Sequence, residues 1–469
     1  MNDVIWWLRR DLRLNDNPAL QQALARGQGL VPVFILDDDL IRNAAPVRLD
    51  FLYAGLHDLD ARLRRLGSRL IVRRGPAETV LVQLVQQTGA TAIFAGADYS
   101  PYARRRDERV KREGLPLVLV EPGVTARSPE SVLTANGRPY TVFTPYSRAW
   151  RAVPLDAALS PAPRALPPVP SLESLSLPEP GRPPLFPAGE AEALRRLDGF
   201  LSGPMYAYAE ERDRLDREAT AFLSPYFRFG MLSAAAAIQA CMNLEAAAQD
   251  ERHRNGCATW IKELIWREFY FMILHYHQEV LRQAFNPELE QIPWRSAPQD
   301  LAAWQQGRTG YPVVDAAMRQ LLHTGWMHNR GRMITASFLV KDLLIDWQAG
   351  ERWFMQHLVD GDPAANNGGW QWTAGTGTDA APYFRVFNPV LQGERYDPTG
   401  DYVRRWVPEL SGIPDAYIHK PWQMPPSVLH SSGVRLGVDY PEPIVDHARA
   451  RDRALEAYAY ARSLARGKG

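Results

Sequence analysis

The chain has 469 residues, 46% of them hydrophobic and 23% charged, with a formal net charge of +1. That length suits roughly three domains or lobes around a large core, and the near-zero charge excludes a uniformly basic nucleic-acid binder while leaving room for a local basic patch. No run of about 18 apolar residues marks a membrane span, and two cysteines, Cys241 and Cys257, are too few for a disulfide framework and lack structural-zinc spacing. The opening MNDVIWWLRRDLRL has paired arginines straight after a short apolar run and no longer hydrophobic region or cleavage site, so a cytoplasmic location is expected.

From residue 1 to 130, short apolar runs (VIWWL, LVPVFIL, RLIVRR, TAIFAGAD, LPLVLVE) alternate with helical stretches. Continuous apolar strands between helices predict an α/β domain with a parallel sheet covered on both sides. The shape is Rossmann-like, but no G-x-G-x-x-G follows the first strand, so a dinucleotide fingerprint is missing. Residues 131–195 read as an inter-domain connector, partly extended, because prolines crowd between Pro154 and Pro187 and apolar periodicity disappears. From 196 to 469 the 3.6-residue periodicity of AEALRRLDGFLS, TWIKELIWREFYFMILHYHQEVL, VVDAAMRQLLHTG and RMITASFLVKDLLIDWQAGERWFMQHLV predicts an all-α domain.

Four stretches carry chemistry. In KELIWREF, Glu263, Trp266 and Arg267 share a helix face at i, i+3 and i+4, which by itself more often means a surface ion pair beside a packed indole. In GWMHNRGRM, Asn329, Arg330 and Met333 sit at a helix start, with Arg332 available to a distant acid; without context, a helix whose Asn and Arg are merely solvated is the favoured reading. DGDPAANNGGWQW, from Asp360, has a Gly- and Asn-rich backbone that can approach a flat ligand closely and two aspartates that accept from ring N–H groups; locally it reads as a long turn between helices. TAFLSPYFRFG places the Thr220 and Ser224 hydroxyls at the mouth of a helix, where phosphate is stabilised, although an N-cap without a ligand would look similar.

Together with WLRRDLRLNDNPAL, GYPVVDAAMRQL and FLVKDLLIDW, these stretches resemble the DNA photolyase/cryptochrome family over essentially the whole chain, and within it the class I cyclobutane pyrimidine dimer photolyases. The resemblance implies an N-terminal α/β antenna domain and a helical domain at 196–469 that binds FAD and UV-damaged DNA, in a monomer. It implies FAD contacts from Tyr208, Thr220, Ala221, Phe222, Leu223, Ser224, Trp260, Arg332, Asp360, Gly361, Asp362 and Asn366. Arg332 is expected to pair with Asp360, and Asn366 to face flavin N5, where an amide can donate or accept. Glu263, Trp266, Asn329, Met333 and Trp372 would form the lesion pocket, and Arg212, Arg267, Arg330, Arg385 and Gln392 the DNA-contacting rim. A protonated Glu263 could donate to a pyrimidine carbonyl as it gains charge.

The implied reaction is electron transfer from excited reduced flavin to the flipped-out dimer, cleavage of the cyclobutane bonds and return of the electron, without a metal or general base. Trp370, Trp347 and Trp294 would relay electrons to oxidised flavin. Two departures stand out. Ala221 replaces a serine common in the family's phosphate segment, and SPYARRRD carries Tyr102 and Ala103 where folate-type members have Asn-Glu. The second points to an 8-hydroxy-5-deazaflavin or FMN antenna over methenyltetrahydrofolate. The rival is a cryptochrome-like blue-light signalling flavoprotein without repair; the pocket tryptophans, Glu263, Asn329 with Met333, and the lack of a long polar tail all argue against it.

Overall fold

A computed structural model describes residues 3–155, 159–183, 185–382 and 385–466. The five apolar runs form β1 (Asp3–Leu8), β2 (Gly29–Leu36), β3 (Ile71–Arg74), β4 (Ala92–Gly96) and β5 (Leu117–Val120), all parallel in the order β3-β2-β1-β4-β5. Ile5 pairs with Val31 on one side and Ile93 on the other. Because β1 is central, both its faces are covered and Ile5, Trp6 and Trp7 are at most 2% exposed. Strand order reverses between β1 and β4, so their carboxyl ends form the switch point where doubly wound sheets bind ligands.

Helix boundaries follow local chemistry. Pro18 opens the Pro18–Arg26 helix and the Asn17 side chain accepts from Leu20 N at 3.1 Å. Gly89, at φ +68°, ends the Ala77–Thr88 helix in the left-handed conformation that glycine adopts freely.

The expected connector is more structured than its prolines suggest. Residues Phe143–Ala152 form a helix that buries Phe143, Tyr146 and Trp150, three apolar residues at helical spacing just before the proline-rich part. Beyond it the chain runs extended beside edge strand β3, where Leu175 N donates to Val72 O at 3.0 Å and Val72 N to Ser174 Oγ at 2.9 Å, so the connector caps an otherwise open sheet edge.

Two compact units result. The first comprises Met1–Ala209, Thr220–Gln278 and Val359–Ala364; the second, Glu210–Ala219, Glu279–Leu358 and Ala365–Gly469. The second unit's core gathers Trp304, Val314, Leu321, Phe338, Leu339, Trp347, Phe354 and Trp370. Its long helical run is interrupted: helix Asn329–Ser337 passes into a π-helical turn at Phe338–Asp342, Leu344 takes φ +54°, and a new helix, Trp347–His357, starts where Asp346 accepts from Gln348 N at 3.0 Å.

Glu190, 2% exposed, opens the Glu190–Ser202 helix and accepts from Leu14 N at 2.7 Å, from Asn15 N at 2.9 Å and from Arg62. Removing a buried carboxylate that satisfies two amides and a guanidinium should cost about 3–5 kcal/mol. Glu190→Ala is therefore expected to lower the denaturation midpoint strongly, and a midpoint equal to wild type in urea unfolding would contradict that role.

Candidate functional site

The segment Val359–Ala364 belongs to the first unit, where buried arginines surround it. Arg10 pairs with both Asp362 and Asp98, and Arg228 Nε donates to Gly361 O at 2.6 Å. Arg48 faces Asp360 and Asp362; burial brings its pKa down to about 10 against the pull of the two carboxylates. For Arg228, burial with the nearby charge of Arg10 lowers the pKa to about 9. Burial favours a neutral Asp362, but Arg10, Arg228 and Arg267 outweigh it and hold the carboxyl below its ordinary value. Arg10, Arg48 and Arg228 escaped the sequence reading; the Arg-Arg after β1 signalled only Arg10.

In the same unit Thr220 Oγ1 is buried without a hydrogen-bond partner among the described residues. Two residues on, Phe222 holds φ +50°, a conformation costly for a bulky side chain. An orphaned buried hydroxyl beside strained backbone fits a segment completed by an acceptor-rich group such as a diphosphate, so the residues present fit FAD. Tyr208 and Trp260, 7% and 4% exposed, are joined through Phe200, whose ring lies 5.4 Å from each of them.

The helix Glu251–Tyr276 starts where Asp250 accepts from His253 N at 2.8 Å. It carries Glu263 and Trp266, both half-buried, one turn apart. Arg267 is one of the residues expected on the DNA-contacting rim. Its guanidinium turns inward, donating to Glu268 Oε1 at 3.1 Å and Val124 O at 2.7 Å and lying 4.6 Å above the Phe271 ring. The reason is Glu268: this 3%-exposed carboxylate also accepts from Ala126 N and Arg127 N, and it draws the neighbouring cation in.

In the second unit, the stretch that read locally as a turn is the helix Pro363–Ala374, which begins as the chain leaves the first unit. Asp362 Oδ1 accepts from Ala364 N at 2.9 Å and Pro363 opens the first turn, so the helix is capped by the residue that faces the arginines. Helical spacing puts Asn366 and Trp370 on one face and turns Trp372 about 200° away from Trp370. Asn366 Nδ2 donates to Glu351 O and Oε1, each at 3.1 Å. Trp370, 2% exposed, meets Phe354 edge-on at 4.9 Å and Trp304 at 6.1 Å. Gly350 lets this indole press against the backbone one turn from Trp347: a Cβ there would stand 2.1 Å from the Trp370 ring. Trp294 meets Tyr458 at 6.1 Å.

Asn329 and Met333 come together on the Asn329–Ser337 helix, Nδ2 to Sδ 3.8 Å, with His328 capping it by accepting from Arg330 N. Arg330 pairs with Asp213 at 2.6 Å, and Arg212 lies 3.7 Å from the same acid. Arg332 Nε donates to Met327 O at 2.8 Å. Trp372 and Gln392 are half-buried and Arg385 exposed. In the first unit, beyond the carboxyl ends of β2 and β4, the Tyr102 hydroxyl donates to Asp37, and Ala103 is 1% exposed.

Residues 260–460 match the model for the FAD binding domain of DNA photolyase, and residues 4–169 the model for DNA photolyase. The chain is 41% identical to the deoxyribodipyrimidine photo-lyase of Agrobacterium fabrum, covering 97% of each chain. Among solved structures, a bacterial class III photolyase from Agrobacterium tumefaciens superposes with a TM-score of 0.92 at 39% identity, covering 99% of this chain and 98% of that one. A Synechocystis cryptochrome gives 0.89 at 30% identity, covering 97% and 99%.

Glu268 makes a pH prediction. Burial raises its pKa from 4.5 to about 7, with Arg267 the main opposing influence. A carboxyl whose folded pKa is raised stabilises the fold fully below its unfolded value, and that contribution is lost as pH rises through about 7. Glu268→Gln should flatten the fall in thermal midpoint between pH 4.5 and 7; an unchanged slope would show that another group sets it.

Proposed function

Because this chain belongs to the DNA photolyase family, we propose that it repairs cyclobutane pyrimidine dimers in UV-damaged DNA by light-driven electron transfer, as a monomeric carbon–carbon lyase. The observation that carries this reading is the face of the Glu251–Tyr276 helix on which a half-buried carboxyl, Glu263, and a half-buried indole, Trp266, stand one turn apart in a chain with full-length photo-lyase relatives. FAD, bound and reduced, supplies on excitation the electron that opens the cyclobutane ring and takes it back.

The remaining tasks fall to the chain's own side chains. Tyr208, the segment 220–224, Trp260, Arg332, Asp360, Gly361 and Asp362 hold the cofactor, the Thr220 hydroxyl donating to phosphate. Asn366, with its Nδ2 committed to Glu351, is left with Oδ1 to accept from a ring N–H, which favours the reduced flavin. Trp266 and Trp372 give π-faces to the flipped bases, Glu263 and Asn329 hydrogen-bond their edges, and Met333 fills an irregular gap. Arg212, Arg267, Arg330, Arg385 and Gln392 contact the DNA backbone without reading sequence. Trp370, backed by Trp347 and Trp294, serves photoreduction: it is buried, and its indole abuts the helix that carries Trp347.

The class I assignment rests on sequence motifs alone and stands beside a neighbour named as class III; the dimer chemistry does not depend on it. For the antenna, the Tyr102–Asp37 hydrogen bond and buried Ala103 leave no polar pair of the folate type, which supports a deazaflavin or FMN chromophore.

Illuminating the fully reduced protein with an oligonucleotide that carries a thymine dimer should restore the thymines. Protein that holds reduced FAD yet restores none would favour the signalling reading, which the Synechocystis cryptochrome likeness supports. Trp266→Ala should weaken repair by about tenfold or more while FAD content stays constant, since one base–aromatic stack is worth about 1–3 kcal/mol. Trp370→Phe should abolish photoreduction of oxidised flavin and leave repair by chemically reduced protein intact. If both variants repair and photoreduce normally, these roles are wrong.

A further inference from the structure

Phe143 lies face to face with Trp266, ring centroids 3.6 Å apart and planes 3° from parallel. Free aromatic rings prefer offset or edge-on contact to a stacked sandwich, so this arrangement is imposed by its surroundings. Those surroundings are visible: Phe143 is 2% exposed, Phe269 meets it edge-on at 5.8 Å and meets Trp266 the same way at 5.7 Å, and Tyr146 packs on Phe269 at 5.2 Å. Tyr270 flanks the indole at 5.6 Å. One face of Trp266 is therefore covered by a buried ring, and only the opposite face can receive a ligand. The ring that covers it comes from the Phe143–Ala152 helix, in the stretch whose prolines read as a connector.

We propose that Phe143 is a positioning residue for dimer recognition: it fixes the plane of the Trp266 indole so that the free face meets the flipped pyrimidines without first having to be ordered. The role rests on the assignment of Trp266 to the lesion pocket. A flat partner blocks rotation of the indole about its χ2, which a rounded aliphatic side chain of similar volume does not, and a recognition ring ordered before binding spares the ligand that entropic cost.

The test compares Phe143→Leu with Phe143→Tyr on the full-length protein carrying reduced FAD. Phe143→Leu should raise KM for a thymine-dimer oligonucleotide about three- to tenfold, with kcat at saturation, FAD content and affinity for undamaged DNA unchanged, whereas Phe143→Tyr, which keeps the plane, should stay within about twofold of wild type. If leucine prevents folding, Phe143→Met poses the same question with another non-planar apolar side chain. Wild-type KM in the non-planar variant overturns the proposal, as does an equal loss in the tyrosine variant, which would mark Phe143 as packing only. Trp266→Ala serves as the reference. If it leaves KM unchanged, the lesion role of Trp266 fails, and this proposal with it; if it raises KM while Phe143→Leu does not, only the positioning role fails.

Discussion

The structure of the first unit turns on a buried charge balance around residues 360–362. Arg10, Arg48, Arg228 and Arg267 face Asp98, Asp360, Asp362 and Glu268, four guanidinium groups against four carboxylates, all largely removed from water. Desolvating these groups is tolerable because opposite charges lie close together, as Arg10 does to Asp362 and Asp98 and Arg267 to Glu268, and breaking such a pair leaves a buried group uncompensated. The consequence is positional. A segment that arrives from the far end of the sequence is held against β1, through Arg10, and against the residues after the 220–224 stretch, through Arg228.

The helix that follows carries three of the candidate residues. Asp362 both pairs with Arg10 and caps the first turn of Pro363–Ala374, the helix that carries Asn366, Trp370 and Trp372. Helix geometry then turns its two tryptophans in different directions. Trp370 turns into the second unit's core beside Phe354 and Trp304, and Trp372 turns away from it and stays half-buried. Two tryptophans separated by a single glutamine can then serve different steps. Aromatic packing does the same work in the first unit, where Phe143 and Phe269 set the plane of Trp266.

Much of this was legible beforehand. Every apolar run assigned to the sheet became a strand, because central parallel strands must be apolar on both faces and so leave an unambiguous pattern. The helical second half was equally clear from its periodicity. Three features were not. The helix at Phe143–Ala152 was masked by the prolines behind it, and the Gly-Gly and paired asparagines in 360–374 argued for a turn against the capping geometry that makes a helix. Arg267 looked like a surface residue because its partner, Glu268, offers no sign in sequence of being buried.

What the sequence by itself determined is the family, the two architectures and the candidate residues, since strand and helix periods and long ordered motifs are local properties of the chain. What only the tertiary structure decided is which charges are buried together and which aromatic faces are already covered. Arg10 and Asp362 are 352 positions apart, and Phe143 and Trp266 lie on separate helices. Burial and stacking between such distant residues depend on how the chain closes on itself, and no local pattern encodes that.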